Sequence, residues 1–551
     1  MPKSEDPAPL TIAHRPADEE EPLWETTVGA LLRDMAALHA GRAALMWPEG
    51  EELREMTWRE LLESAERAAG LILGRVSPGD PVAVWSANSA DWVVLEYGAA
   101  LAGTPLVPVN TALTDAEAAH QLRDSGARLL LAAETFRGRA LRERATALAA
   151  ELPAPCPVLG MDARRSAPRP EPGALPSPAP GSPFLIQYTS GTTGTPKGAV
   201  LSHLACVNSG RFGMAALHEP GSHEIYCSPL PLNHVGASVC AVLTAASVGG
   251  TYVLAPSFDA ATVLRLVERS RATILGLVPT MMTDILACPD LRTRDLSSLR
   301  VVCGGGSTVP PELIRRLEDG LGARLAIAYG QSESPYATST GLSDDDVTKA
   351  ETLGRPCAHR EARIARLGSG ETAELGEHGE LLIRSPLNMT GYHARPEETA
   401  RTLGADGWLR TGDICSMDAG GVLRVHGRSR EVIIRGGENI YPREVEEALL
   451  AHDAVADAAV VGLPDERLGE KVAAFVRLVP GAAAGPGELE FFARSRLAAF
   501  KVPRVWDFVE GFPLTASGKI RKHVLREGLL NRSEEVRGQV GDLGQQSGPP
   551  G

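Results

Sequence analysis

The regular exchange of short apolar runs with amphipathic stretches constrains this chain more than any other feature. Trp58 to Val76 carries apolar residues at helical spacing, and the short apolar strand Pro81-Val82-Ala83-Val84-Trp85 follows it. A helix predicted over Asp91 to Leu101 leads to a second apolar strand, Pro105-Leu106-Val107-Pro108-Val109. The same rhythm returns at Ala127 to Ala132, Thr251 to Ala255, Thr273 to Leu277, Leu299 to Cys303 and Arg324 to Ala328. Strands that are apolar on both faces need cover on both faces. The alternation therefore predicts an α/β fold with parallel sheets buried under helices. Apolar residues at 43% and charged residues at 23% are ordinary globular values, which excludes a disordered chain, a collagen and a coiled-coil rod.

With 551 residues the chain has room for three to four domain-sized units. Residues 1–22 and 533–551 read as disordered tails. A Pro-rich linker over 167–183 delivers the chain to the apolar strand Phe184-Leu185-Ile186-Gln187-Tyr188. From about Gly379 the pattern shifts to short strands, Glu380 to Arg384 and Val422 to Val425. A compact β/α segment follows: strand Glu431 to Arg435, helix Arg443 to Ala451, strands Val455 to Gly462 and Lys471 to Leu478, and helix Glu488 to Leu497. Its hundred or so residues are the size of a small domain. The boundary is placed near Arg430, giving a large domain over 23–429 and a small one over 430–532.

The net charge of −14 argues against a broad nucleic-acid or anionic-membrane surface, while leaving room for a local basic pocket. The eight cysteines form no C-x-x-C pair, which fits reduced thiols in a cytoplasmic protein. The acidic N-terminus has no apolar centre of the signal-peptide kind. The uncharged run from Val235 to Phe258 contains Gly249-Gly250 and Pro256, so a buried helix leading into a strand is expected there, not a membrane span.

The most specific chemical signal is Tyr188-Thr189-Ser190-Gly191-Thr192-Thr193-Gly194-Thr195-Pro196-Lys197-Gly198, directly after an apolar strand. Gly191, Gly194 and Gly198 permit tight turns and close approach of a ligand to the backbone. Hydroxyls and amides can donate to phosphate oxygens, and Lys197 adds a cation. The order is not that of a Walker A loop, which ends in Gly-Lys-Ser/Thr.

These eleven residues match the phosphate loop of the AMP-forming adenylating enzymes, a superfamily of acyl-CoA synthetases, luciferases and peptide-synthetase adenylation domains. The resemblance covers roughly residues 25 to 530. It continues in order through Tyr329-Gly330-Gln331-Ser332-Glu333, Leu409-Arg410-Thr411-Gly412-Asp413, Gly427-Arg428 and Pro513-Leu514-Thr515-Ala516-Ser517-Gly518-Lys519. It implies a large domain of parallel-rich sheets under helices with a small β-barrel-like part, and a mobile α+β lid. It also implies ATP, Mg²⁺ and coenzyme A as cofactors, and a small carboxylic acid as substrate. No nucleic-acid partner or stable membrane insertion is implied, and a homodimer is compatible with it.

By this resemblance Thr189, Ser190, Gly191, Thr192, Thr193, Gly194 and Lys197 cradle phosphates. Gly305, Tyr329 and Ser332 face the nucleotide, with Tyr329 stacked on adenine. Glu333 holds Mg²⁺, a hard ion suited to carboxylate and phosphate oxygens. Ser332 stands where the family usually has Thr. Asp413 accepts from the ribose hydroxyls, a role that suits a carboxylate because it offers acceptors only. Arg428 reaches the ribose or the phosphates. Lys519 bridges the substrate carboxylate and the α-phosphate, two anions that otherwise repel. Arg430 aligns with the hinge, where Asp or Lys is usual. Gly436 and Gly437 align with the pantetheine tunnel, and Gly-Gly-Glu-Asn-Ile-Tyr-Pro over 436–442 resembles CoA ligases more than peptide-synthetase domains.

Leu230-Pro231-Leu232-Asn233-His234 resembles a segment in which His234 gates the carboxylate, beside an acyl pocket lined by Gly236, Gly306 and Gly330. Small residues there fit either a bulky apolar acid or backbone clearance for the nucleotide. The function expected is an ATP-dependent acyl-CoA synthetase. The alternatives are an acyl-AMP ligase that loads a carrier protein and a specialised member that carries out mainly one half-reaction.

Overall fold

Four-residue strands apolar on both faces form the centres of two large sheets. They are seen in a computed structural model that describes residues 9–171, 173–189, 196–305, 309–436, 438–465, 467–514 and 520–532. In the first sheet Val82–Trp85 lies between Leu106–Val109 and Leu129–Ala132, all parallel. Val158–Gly160 extends it on one side. On the other side stand Pro183–Thr189, then antiparallel Lys197–Ser202 and Gly391–Tyr392. The second sheet has nine strands, and its parallel centre runs through Arg324–Gln331, Val301–Gly305, Ile274–Leu277, Ile225–Ser228, Thr251–Leu254 and Ala43–Glu49.

Successive side chains of a strand serve opposite faces. Val82 and Val84 join a core cluster that continues through the helices to Tyr226, Tyr252 and Ile274 of the other sheet. Ala83 and Trp85 join a separate cluster under the helices Asp115–Asp124 and Leu141–Ala150. Helices therefore fill the layer between the two sheets. Ala90–Ala102 is buried along nearly its whole length, as expected of a helix apolar all round. Trp58–Leu73 begins at a capping box in which Thr57 and Glu60 satisfy each other's backbone amides.

The run from Val235 is a short helix, a π turn over Ser238–Leu243 and a second short helix, followed by the strand Thr251–Leu254. No helix among the described residues is long and apolar enough to cross a membrane. The π turn was not foreseen. Helix His203–Ala215 comes so close that a Cβ on Gly210 would lie 2.8 Å from the Leu243 carbonyl carbon.

A third, antiparallel sheet joins His14–Arg15, Glu361–Ala365, Gly379–Arg384, Trp408–Met417 and Leu423–Arg428 into the barrel-like part. Its first strand corrects the expectation of a disordered tail over 1–22, at least from Pro9 onward. Leu10 donates its amide to Ala419, Ala13 is fully buried, and Arg211 binds both Pro22 and Glu21. Residues 1–8 and 533–551 lie outside the described residues. The first residues of the Pro-rich stretch, 167–170, lie along helix Trp58–Leu73, with Arg67 donating to Ala167 and Arg169 paired with Glu66.

The last sheet holds Glu438–Ile440, Ile433–Arg435, Gly469–Leu478 and Val455–Asp465, with Val505–Phe508 alongside. Helices Pro442–Leu450 and Pro486–Arg494 cover one face around Val445, Leu449 and Leu489. The fold is thus mixed α/β: two helix-covered parallel-rich sheets, a barrel-like sheet and a small α+β C-terminal part.

Candidate functional site

Ligands of open α/β sheets bind beyond the carboxyl ends of the parallel strands. Here Pro183–Thr189 ends at Thr189, Val301–Gly305 at Gly305, and Arg324–Gln331 carries Tyr329 and Gly330. Thr189 pairs with Lys197 across a hairpin, and its hydroxyl donates to the Lys197 carbonyl at 3.5 Å. The loop between them includes Ser190, Gly191, Thr192, Thr193 and Gly194, which lie outside the described residues, as do Gly306, Gly437 and Lys519. The hairpin brings the Lys197 ammonium to 5.3 Å from the centroid of the Tyr392 ring.

Glu333 follows Ser332 in the turn between Arg324–Gln331 and Ser334–Ser339, and both residues are buried. The Tyr392 hydroxyl donates to Glu333 Oε1 at 2.7 Å, and the Glu333 carbonyl accepts from the Met389 amide at 2.8 Å. Burial, reinforced by the Glu333 carboxylate, holds the Tyr392 phenol well above its ordinary pKa, so it acts as a donor.

A second carboxylate is held in the same manner. Asp413 sits after Gly412, whose φ of +72° is a conformation that favours glycine. Asp413 Oδ2 accepts from the Tyr329 hydroxyl at 2.5 Å, and Oδ1 lies 2.8 Å from Arg428 Nε. Arg428 faces Asp413 across the register of two barrel-like strands. Burial works against the Arg428 charge, but Asp413, then Tyr329, Glu431 and Glu333, outweigh it and raise its pKa. The Tyr329 hydroxyl is thus engaged by Asp413, a contact that the expected adenine stacking did not include. A carboxylate oxygen accepts more than one hydrogen bond, so Asp413 retains the chemistry to receive a diol.

His234 caps a short helix, its Nδ1 accepting from the Gly236 amide at 3.0 Å. Its loop is fixed from two sides. Gln187 donates to the Asn233 carbonyl, and Asn88 donates to Leu230 while accepting from the Leu232 amide. A Cβ on Gly236 would meet only the His234 ring, at 3.2 Å, so there is space beside it. The other small residues have local reasons. A Cβ on Gly305 would lie 2.2 Å from the Ala328 carbonyl oxygen, and one on Gly330 2.6 Å from the Tyr336 amide nitrogen. Backbone clearance accounts for both glycines without any appeal to pocket volume.

Gly436 turns the hairpin between Ile433–Arg435 and Glu438–Ile440, with a φ of +63° and its amide bonded to Leu468 at 2.7 Å. It belongs to the small C-terminal sheet, apart from the two carboxylates. Arg430 lies exposed in the single turn Ser429–Glu431, two residues beyond Arg428. Tyr392, Asn88 and Gln187 were missed in the sequence. Tyr392 is in a two-residue strand with no periodic signal, and the partners of all three are remote in the chain.

Residues 32–393 match the family described as AMP-binding enzyme, and residues 444–519 match the AMP-binding enzyme C-terminal domain. The medium-chain acyl-CoA ligase ACSF2, mitochondrial, of Rattus norvegicus is 36% identical over 544 residues, covering 92% of this chain and 88% of the relative. Among solved structures, ATP-bound MatB from Rhodopseudomonas palustris superposes with a TM-score of 0.82 at 27% identity, covering 91% of this chain and 99% of that one. The amide bond synthetase McbA from Marinactinospora thermotolerans gives 0.81 at 30% identity, with 91% and 99% covered. The buried carboxylates Glu333 and Asp413, with their tyrosine and cation partners, thus stand in a chain that belongs to the AMP-binding enzyme family, as an ATP-using ligase of the acyl-CoA synthetase group.

Proposed function

We propose that the protein is an AMP-forming acyl-CoA synthetase. It joins a carboxylic acid to the α-phosphate of ATP with release of pyrophosphate, then passes the acyl group to the thiol of coenzyme A with release of AMP. The observation that carries this reading is the pair of buried carboxylates, Glu333 and Asp413. Each is held by a tyrosine hydroxyl, with a cation (Lys197 or Arg428) beside the assembly. Separated acceptors and cations of this kind suit a nucleotide, which presents a ribose diol at one end and phosphates at the other.

In this scheme Lys197 and the loop before it hold the phosphates. Asp413 receives the ribose hydroxyls, and Arg428, 2.8 Å from its Oδ1, holds it in place. Among the described residues no group of three or more His, Cys, Asp and Glu converges. One oriented carboxylate fits Mg²⁺, which takes its remaining ligands from phosphates and water. Glu333 would hold it, and when bound it neutralises phosphate charge. Lys519 neutralises the substrate carboxylate as it approaches the α-phosphate. His234 stands on the acyl side, with the space beside Gly236 open to an apolar chain. The unit over 430–532 then turns about Arg430, withdrawing Lys519 and bringing Gly436 and Gly437 to the acyl adenylate.

The test is a panel of apolar acids, with medium-chain acids first because the ACSF2 relative bears that name. Pyrophosphate release with MgATP is read separately from product formation on CoA, on a carrier protein and on an amine. Acid-dependent pyrophosphate release with thioester on CoA alone is expected. Transfer only to the carrier or the amine would overturn the acceptor assignment. Lys519→Ala should slow adenylation by about 100-fold or more while sparing thioester formation from supplied acyl-AMP. Equal loss of both steps would remove Lys519 from its role.

A further inference from the structure

Glu333 and Lys197 belong to different sheets, and a single side chain spans the gap between them. Tyr392 lies on the edge strand Gly391–Tyr392, paired with Lys197–Ser202 through Ala199 and Val200. Its neighbours fix the strand there: Thr390 donates to the Val200 carbonyl and His393 to that of Gly198. The Tyr392 amide donates to Thr399 Oγ1 at 2.8 Å, which fastens it to helix Pro396–Thr402. Further on, Arg395 pairs with Asp124, which also accepts from Tyr188 at the end of the strand before the phosphate loop. From this framework the hydroxyl reaches Glu333 at 2.7 Å, and the ring lies under the Lys197 ammonium.

We propose that Tyr392 is a positioning residue for the metal and phosphate end of the site. It occupies one oxygen of Glu333, so that the carboxylate meets a divalent cation through the other, and it sets where Lys197 stands relative to that cation. The inference rests on the function proposed above. A carboxylate free to rotate would present two equivalent oxygens to the ion. One tethered by a donor presents a single oxygen in one direction, and losing such a tether typically weakens metal binding about 10–100-fold. The ring contributes separately, because a cation over an aromatic face is held without a hydrogen bond. The two contributions come apart in Tyr392→Phe, which keeps the ring and removes the donor.

The experiment titrates Mn²⁺ as a paramagnetic probe, by electron paramagnetic resonance, into protein saturated with a non-hydrolysable ATP analogue. Analogue affinity without metal and the thermal melt are measured alongside. Tyr392→Phe should bind Mn²⁺ about tenfold more weakly, with metal-free analogue affinity and melting unchanged. Combined with Glu333→Gln it should add nothing, because the tyrosine acts through that carboxylate. Wild-type Mn²⁺ affinity in Tyr392→Phe, or an additive loss in the double variant, overturns the proposal. So does an equal loss of metal-free analogue binding. If the Phe variant does not fold, difluorotyrosine at 392 alters donor strength at nearly constant size, and an unchanged Mn²⁺ affinity there overturns it too. Wild-type protein that binds neither analogue nor Mn²⁺ would instead refute the functional reading beneath it.

Discussion

His203 sits at the first turn of its helix, almost without solvent contact, its Nδ1 accepting from the Val28 amide and its ring 5.1 Å from that of Phe184. Burial lowers its pKa to about 4, against about 6.5 in an unfolded chain. The unfolded state therefore binds the extra proton first as pH falls. The residue's contribution to stability is complete above about pH 6.5 and is lost as pH drops through 4. Asn can place an acceptor oxygen near the Nδ1 position without titrating. The urea midpoint of His203→Asn should accordingly fall less between pH 7 and pH 5 than that of the wild type, and an equal fall would clear His203 of the effect. At this scale the sequence was informative where a residue's partners lie in its own motif. Glu333 and Asp413 were legible because the chain around each has a distinctive order. Tyr392 was not, because the carboxylate it serves is 59 residues away and on another sheet.

The strands Val301–Gly305 and Arg324–Gln331 run parallel with Gly305 opposite Ala328, and this pairing gives the site glycines unequal tolerance. A methyl group at 305 would be driven into a backbone oxygen, whereas one at 236 would meet only an imidazole edge. Gly305→Ala should cost about 1–3 kcal/mol, as forced shifts in packed structure do. Gly236→Ala should leave stability unchanged and alter only which acids are accepted. Urea denaturation and an acid panel separate the two, and equal urea midpoints for both variants would contradict the difference in clearance. The buried strands were readable as apolar runs to within three residues at either end, the largest misses being the far ends of Arg324–Gln331 and Val455–Asp465. His14–Arg15 was not, because a two-residue polar edge strand has neither length nor period. The π turn at Ser238–Leu243 was hidden because an apolar run looks the same whether each amide bonds four or five positions back.

Across the whole molecule, the barrel-like sheet meets the small C-terminal part through three rings. His378 and His426 stack with centroids 3.7 Å apart, and Tyr441 presents an edge to His378 at 5.2 Å. Burial, then His378, Arg424 and Arg443, push the pKa of His426 down to about 3, and the ring shares a hydrogen bond of 2.9 Å with Ser416. If the small domain turns about Arg430, Tyr441 must leave this stack. Tyr441→Ala should therefore raise hydrogen exchange over 422–428 while leaving the buried strand Ile274–Leu277 as protected as before. Unaltered exchange over 422–428 would mean that the stack does not hold the two parts together. The barrel-like sheet also has a history in time. His14 is made early, yet its partner Arg363 is made about 350 residues later. At about 5–20 residues per second, that strand edge waits roughly 20–70 seconds on a nascent chain before it can be paired. Its brevity, with only two residues offering bonds, gives a passing neighbour little to hold in the meantime.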